Sequence, residues 1–196
     1  VDEDKDEGLE YIEKAIRKDD NPDALFNRGV IYEQNNLFRN AANMYKRAAE
    51  KGQINALNNY GCMLANGIGV KKNLAEADKY LKKAQELGNA NSSFNNFLRI
   101  AKGIELADIA NNDIYMNLLR DAANKGQPNA LFWLGTIYKK FGKSSQNLKD
   151  AIILFTKAAE KGNKKAMKVL AYCYESGDGV PIDYKKACDF RKKANS

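Results

Sequence analysis

Apolar positions in this chain recur with the spacing of helical faces. Small residues, mostly alanine, stand in pairs seven residues apart, with bulky side chains such as Tyr45, Leu81 and Phe155 between them. Seven residues are two helical turns, so each pair lies on one face, where another helix can approach closely. The pattern predicts five helices, called B, with the pairs Ala41 and Ala48, Ala77 and Ala84, Tyr115 and Ala122, Ala151 and Ala158, and Ala187 and Ala194.

A glycine follows the second alanine by four residues in the first four B helices. These glycines are Gly52, Gly88, Gly126 and Gly162, separated by 36, 38 and 36 residues. Lysines crowd the preceding turn, where they favour the negative pole of a helix, and glycine can adopt the left-handed conformation that ends it. Repetition at this period predicts a stack of small helical units with no central core.

A second helix, A, is predicted before each B helix. It is clearest at residues 24–29, 56–61 and 130–135, each of which runs from Ala-Leu to a glycine. Glycine inside a helix lowers its propensity, so its recurrence at one register indicates close contact between helices. Two of the A-to-B connections carry a Gly-x-Gly-Val turn, at residues 67–70 and 177–180.

Together these motifs resemble the Sel1-like repeat, a relative of the tetratricopeptide repeat. The resemblance implies an all-α fold, a right-handed αα-superhelix (solenoid) of about five helix pairs with the A helices on its concave face. We expect one solenoid domain over residues 1–196, made of a partial repeat at 1–19 and repeats at 20–52, 53–88, 89–126, 127–162 and 163–196. The partial repeat reads as a B helix without its A helix, so we expect the chain to belong to a longer protein.

The third repeat departs most from the family pattern. Ser92 and Phe97 replace the usual alanine and glycine of its A helix, Glu105 replaces a turn glycine, and Tyr115 replaces an alanine of its B helix. Larger side chains cannot reproduce the close contact of small ones. We expect this repeat to pack with altered curvature.

The formal net charge of +7 is concentrated towards the C-terminus, because the first twenty residues are acidic. Nucleic-acid binding is one interpretation of the lysines. Lysines on solvent faces and at helix ends are the other, and few arginines and no interleaved aromatic residues argue against base reading. No apolar run approaches the roughly 18 residues that span a bilayer, so we expect no membrane contact by this segment.

Catalytic groups are scarce. The chain has no histidine, and its three cysteines, Cys62, Cys173 and Cys188, lack metal-ligand spacing. We therefore expect neither an enzyme nor a cofactor, and interpret the cysteines as buried, reduced thiols. Their odd number favours the cytoplasm and leaves the endoplasmic-reticulum lumen open.

Candidate recognition residues lie on the predicted A-helix face. Asn27, Asn59 and Asn95 share the register two residues before the small position. The family resemblance implies that such asparagines hold an extended peptide, or that they bond only within the scaffold. Positions that vary along the same face can encode partner choice, and the candidates there are Glu33, Asn58, Asn66, Lys102, Lys139, Lys140, Tyr172 and Glu175.

These features predict a non-catalytic adaptor that docks a peptide or protein partner on its concave face. The alternative, which the resemblance also allows, is a regulatory or activator subunit of a membrane-associated enzyme or of a ubiquitin-ligase complex. A hydrolase acting through carboxylates is the third hypothesis, although no acidic cluster stands on an apolar background.

Overall fold

A computed structural model describes residues 12–17, 20–142 and 144–195. Within these ranges the regular structure is entirely helical. Most of the predicted partial repeat, including its acidic first residues, lies outside the described residues. The helices are α1 (residues 12–17), α2 (Pro22–Gln34), α3 (Phe38–Glu50), α4 (Ile54–Asn66), α5 (Leu74–Glu86), α6 (Ala90–Ile100), α7 (Leu106–Ala110), α8 (Asp113–Asn124), α9 (Pro128–Phe141), α10 (Ser145–Glu160), α11 (Lys164–Ser176) and α12 (Tyr184–Asn195).

Ten of these helices occupy the predicted A and B positions, and four of the pairs pack directly together, α2 with α3, α4 with α5, α9 with α10 and α11 with α12. The A helices are α2, α4, α6, α9 and α11, and the B helices are α3, α5, α8, α10 and α12. Short helix α7 lies between α6 and α8, in the connection of the third repeat. The chain divides into two compact units, residues 1–92 and 93–196.

Amide side chains begin most of the helices. Asn21 accepts hydrogen bonds from the backbone N–H groups of Asp23 and Ala24, both at 3.0 Å. Asn73, Asn112 and Asn163 cap later helices in the same way, and Gln53 and Gln127 fill the equivalent position of two A helices. Each cap satisfies donors that the first helical turn leaves free. Capping therefore explains part of the asparagine abundance.

The repeat glycines end the B helices as predicted. Gly52 has a φ of +85°. Its N–H bonds the carbonyl of Ala49 at 2.9 Å, and the next N–H, of Gln53, bonds the carbonyl of Ala48 at 3.0 Å. This bond pair is the Schellman motif, which needs a left-handed residue after the helix. Positive φ recurs at Gly88, Gly126 and Gly162.

In the first unit, the small residues let the helices pack closely. Ala41 and Ala48 are fully buried on α3, and Gly29 of α2 lies directly against the ring of Tyr45. A Cβ added at Gly29 would stand 2.6 Å from two ring carbons. Glycine at this register thus makes room for the bulky residue of the following B helix, as the sequence pattern predicts.

The second unit repeats this contact between Gly135 and the Phe155 ring, and varies it in the third repeat. Phe97, at the glycine register, is itself buried and packs against Phe94 and Trp133, with ring centroids 5.9 and 5.6 Å apart. Ile109 of α7 is also buried in this core. The third repeat therefore has an aromatic cluster and an added helix where the other repeats have a small residue against a bulky one.

Candidate functional site

Most of the predicted recognition residues lie on the A helices. Among the eleven, ten belong to α2, α4, α6, α9 or α11, and Lys102 lies in the turn after α6. Their exposure differs. Asn27, Glu33, Lys102, Lys140 and Tyr172 are exposed, Asn59, Asn95, Lys139 and Glu175 are half-buried, and Asn58 is buried. Asn66, also on α4, is exposed.

A chain of hydrogen bonds joins three of these residues in the first unit. Ser92 donates from its hydroxyl to Asn58 Oδ1 at 3.2 Å, and Asn58 Nδ2 donates to Asn59 Oδ1 at 3.2 Å. The Asn59 side chain bonds the hydroxyl of Tyr45, which in turn donates to Glu33 Oε2 at 2.6 Å. Every donor points towards the carboxylate, so Glu33 is the final acceptor of the chain.

Tyr45 fixes the orientation of that carboxylate. Its side chain is fully buried on α3. Burial, assisted by the hydrogen bond to Glu33, raises the pKa of Tyr45 far above its ordinary value, and the bond from Asn59 offsets only part of the rise. The hydroxyl therefore keeps its proton across the physiological range and remains a donor to Glu33.

A cavity of about 310 Å³ opens beside this network. We call it the Glu33 cavity, and its lining residues are Glu33, Phe38, Asn59, Cys62, Met63, Asn66 and Ile68. Phe38 and Ile68 are exposed apolar side chains, whereas Met63 is buried at the base. The turn that carries Ile68 is fixed to α3, because Gly69 lies against the backbone of Phe38. The cavity thus combines an oriented carboxylate, two amides and an apolar wall.

In the second unit, other residues fill the same registers. Lys139 stands at the register of Glu33 and Asp178 at that of Ile68, and their side chains form an ion pair. Burial alone would lower the pKa of Lys139, but the hydrogen bond with Asp178 and the charge interactions with Cys173, Asp178 and Tyr172 together outweigh it, so the net shift is upward. The members of the hydrogen-bond chain also change, because Phe155 replaces Tyr45 and Val169 replaces Asn59. An internal ion pair therefore stands where the first unit has an oriented carboxylate.

The remaining candidates have separate surroundings. Glu175 forms an ion pair with Arg191 at 2.5 Å, and the Lys140 ammonium lies 5.5 Å from the centroid of the Phe141 ring. Tyr172 leaves 58% of its surface exposed on α11. Exposed tyrosine and lysine side chains on A helices provide contact area that packing does not consume.

The cysteines differ from the expectation of three buried thiols. Cys173 is buried, Cys62 is half-buried and Cys188 is exposed. Burial raises the pKa of the Cys173 thiol, against the opposing influence of Lys139, whose Nζ lies 3.9 Å from the sulfur. Cys188 lies on α12, the last helix that the structure describes.

Neither a metal cluster nor a membrane-spanning helix occurs in the described part of the chain. No group of three or more cysteine, aspartate or glutamate side chains converges there in a way that would hold a metal ion. No described helix is both long and apolar enough to cross a bilayer. The last turns of several described helices carry Arg47, Lys83, Lys157 and Lys192, which is the helix-end placement expected for basic residues.

Sequence reasoning missed the residues that join the candidates together. Tyr45 was assigned only a packing role, and Phe38 and Ile68 were not singled out. One signal was present in the sequence. The sequence has opposite charges at Lys139 and Asp178, but Glu33 and Ile68 at the same registers of the first unit. This difference indicates that packing does not dictate the residue at these registers.

These helix pairs, with small residues at most A–B contacts, define an all-α repeat protein. The chain belongs to the Sel1 repeat family, whose profile matches residues 1–20, 22–53, 54–89, 128–163 and 164–194. The third repeat, which carries Phe97 at the glycine register, falls in the stretch that the profile leaves unmatched.

Individual relatives agree with this assignment. The chain is 28% identical, over an alignment of 206 residues, to an uncharacterised Sel1-like repeat-containing protein of Schizosaccharomyces pombe, covering 94% of this chain and 29% of that protein. It is 29% identical to a Sel1 repeat protein from Oxalobacter formigenes, whose crystal structure matches with a TM-score of 0.77 over 95% of this chain and 54% of that one. A protective antigen of uropathogenic Escherichia coli with an SLR fold matches with a TM-score of 0.54 at 20% identity, over 95% of this chain and 48% of that one. The chain thus spans less than a third of the S. pombe protein and about half of each bacterial one.

Proposed function

We propose that this chain is a non-catalytic scaffold that docks a peptide or protein partner on the face formed by its A helices. Sel1 repeat proteins commonly serve as protein-interaction scaffolds. The observation that carries the proposal for this chain is the distribution of polar groups. Ten of the eleven candidate residues stand on A helices, and the described surface of those helices includes the Glu33 cavity.

The packing of each repeat supports the choice of face. The B helices use alanine pairs and a bulky residue to contact the A helices, so their register is dictated by the scaffold. Exposed A-helix positions such as Asn27 and Lys140 contribute to no core cluster. Residues that packing leaves free can change with the partner while the fold is kept.

A selection of random linear peptides against the full chain tests the proposal, with affinities measured by fluorescence anisotropy. Two matched pairs distinguish the faces, because Asn27 and Lys140 are exposed on A helices, whereas Asn43 and Lys157 are exposed on B helices. Alanine at each A-helix position should weaken at least one class of selected peptide by about fivefold or more, which corresponds to the roughly 1 kcal/mol that only a minority of interface residues exceed. Alanine at the B-helix positions should leave affinity unchanged.

Two results would contradict the proposal. One is that the selection yields no peptide that binds the parent chain. The other is that peptides bind, but the variants at Asn27 and Lys140 keep the parent affinity while those at Asn43 and Lys157 lose it. The second result would move the docking surface to the B helices.

A further inference from the structure

The Glu33 carboxylate is an oriented anion whose charge the described part of the chain leaves unpaired. Tyr45 donates a hydrogen bond to it directly. Asn59 bonds Tyr45, and Asn58 bonds Asn59, so the two asparagines support that bond. Throughout residues 12–17, 20–142 and 144–195, no lysine or arginine forms an ion pair with Glu33. A carboxylate held in one orientation is a ready acceptor for a charge-assisted hydrogen bond.

The second unit shows which charge complements this register. There the A-helix residue is a cation, Lys139, and the turn of the next repeat supplies an anion, Asp178. In the first unit the A-helix residue is the anion, and the turn supplies Ile68, which carries no charge. The same register therefore contains a complete ion pair in one unit and half of one in the other.

We propose that the Glu33 cavity binds a lysine or arginine side chain presented by the partner. The proposal rests on the docking function above and specifies the chemistry of one anchor. The ammonium or guanidinium group would meet the carboxylate of Glu33 and the amide oxygen of Asn66. The aliphatic stem would lie on Phe38 and Ile68, as the stems of basic residues commonly do on apolar surface.

The cavity is large enough to take one extended side chain. Its volume of about 310 Å³ is at the lower end of the roughly 300–1,000 Å³ found for small-ligand sites. Phe38 and Ile68 leave 37% and 43% of their surfaces exposed, so the apolar wall is accessible from outside. Binding one extended side chain covers this wall and supplies the missing charge at the same time.

The peptides selected on the parent chain test the proposal. Selection should enrich lysine or arginine at one position. A peptide with glutamate at that position should bind at least about tenfold more weakly. Glu33→Gln keeps an acceptor for Tyr45 and removes the charge, so it should weaken the basic peptides by about tenfold. Glu50→Gln, a matched change at an exposed carboxylate of α3, should leave the affinity unaltered. Raising the salt concentration should weaken binding to the parent more than to Glu33→Gln.

A second variant fills the site by the route that the second unit uses. Glu33→Lys combined with Ile68→Asp places the Lys139–Asp178 pair at the first-unit register, so the protein should stay helical by circular dichroism and lose the basic peptides. Glu33→Lys alone should instead select peptides with an acidic residue at the anchor position.

Three outcomes would overturn the inference. Selected peptides that show no basic enrichment and are insensitive to Glu33→Gln, but still respond to Asn27→Ala, would refute the anchor and leave the docking function standing. Concentration-dependent self-association that Glu33→Gln abolishes would assign the cavity to a second copy of this chain. Failure of all peptides to bind the parent would remove the docking function and the anchor together.

Discussion

Replacing Gly29 by alanine should destabilise the first unit, although alanine is the better helix former. The added Cβ would stand 2.6 Å from Cδ1 and Cε1 of Tyr45, whereas ordinary contacts begin at 3.4 Å. The ring cannot easily move aside, because Tyr45 is fully buried and its hydroxyl is bonded to Glu33 at 2.6 Å. Relief therefore requires the two helices to separate or the hydrogen-bond chain to break.

The magnitude follows from two opposing contributions. Alanine in a helix interior gains about 0.5–1 kcal/mol over glycine. Forcing an extra methyl group into a packed core costs about 1–3 kcal/mol, and the rigidity of the ring places this site in the upper part of that range. The net loss should be about 1–2 kcal/mol in the free energy of unfolding. Gly135→Ala, where the Cβ would stand 2.9 Å from a carbon of Phe155, and Gly61→Ala, 2.8 Å from a carbon of the more flexible Leu81, should cost less.

Urea unfolding followed by circular dichroism measures the effect. The decisive comparison is Gly29→Ala in a Tyr45→Leu background, where the ring that causes the clash is gone. There the alanine should be neutral or stabilising by up to about 1 kcal/mol, because only its helix propensity remains. The reasoning is refuted if Gly29→Ala stabilises the parent, or if its cost is the same in both backgrounds.

Three further perturbations test other parts of the structure. Gly69→Ala should cost more than about 2 kcal/mol by urea unfolding, because the residue has a φ of +69° and lies against the Phe38 backbone. Gly52→Ala, at a φ of +85° with open space around it, should cost only about 1 kcal/mol. Equal losses would show that the contact between Gly69 and Phe38 does not contribute to stability. Asn163→Ala removes the cap of α11 and the hydrogen bond to Asn129, so it should cost about 1–2 kcal/mol. Asn43→Ala, at an exposed position, should cost less than about 0.5 kcal/mol. Equal urea midpoints for the two variants would contradict the capping argument. Since the fold raises the pKa of Tyr45, the free energy of unfolding should be highest below the ordinary tyrosine pKa of about 10 and should fall as the pH rises beyond it. Tyr45→Phe should make this fall less steep in urea titrations at alkaline pH. An unchanged slope would assign the pH dependence to other groups such as Tyr60 and Tyr80.

The fold was predictable because its determinants are local and repeated. A small residue at a fixed register is needed wherever two helices approach closely, so the buried alanines of α3 and α10 are visible as a period in the sequence. The glycine after each B helix is equally legible, since the Schellman turn requires a left-handed residue. Repetition of one local rule therefore specifies the helix pairs without any long-range information.

The third repeat shows where that legibility ends. Phe97 at the glycine register predicts that something must change, and the sequence alone does not say what. The structure resolves the change as an aromatic cluster with Phe94 and Trp133 and as the short helix α7. Each depends on residues from several helices, so no single-helix pattern could predict it.

The candidate site was predictable in its parts and not in its connections. Asn58 and Asn59 were assigned to one exposed face, yet adjacent helical residues point about 100° apart. Asn58 is therefore buried and bonds Ser92 of the next A helix, while Asn59 reaches Tyr45. Whether a polar side chain faces a partner or a neighbouring repeat depends on how adjacent helices approach, which register alone does not fix.

The two units together separate scaffold from recognition more sharply than either does alone. Where Tyr45 becomes Phe155, the ring still packs against the small residue of its A helix, so the scaffold contact is kept while the hydroxyl is lost. At the same registers, Lys139 replaces Glu33 and Asp178 replaces Ile68. A carboxylate that accepts a hydrogen bond from a tyrosine hydroxyl is thus replaced by a lysine that pairs with a carboxylate. None of these exchanges alters the Gly-x-Gly-Val turn or the alanine pair. Charge at this register is therefore free to vary between repeats, which is the property that a surface for choosing partners requires.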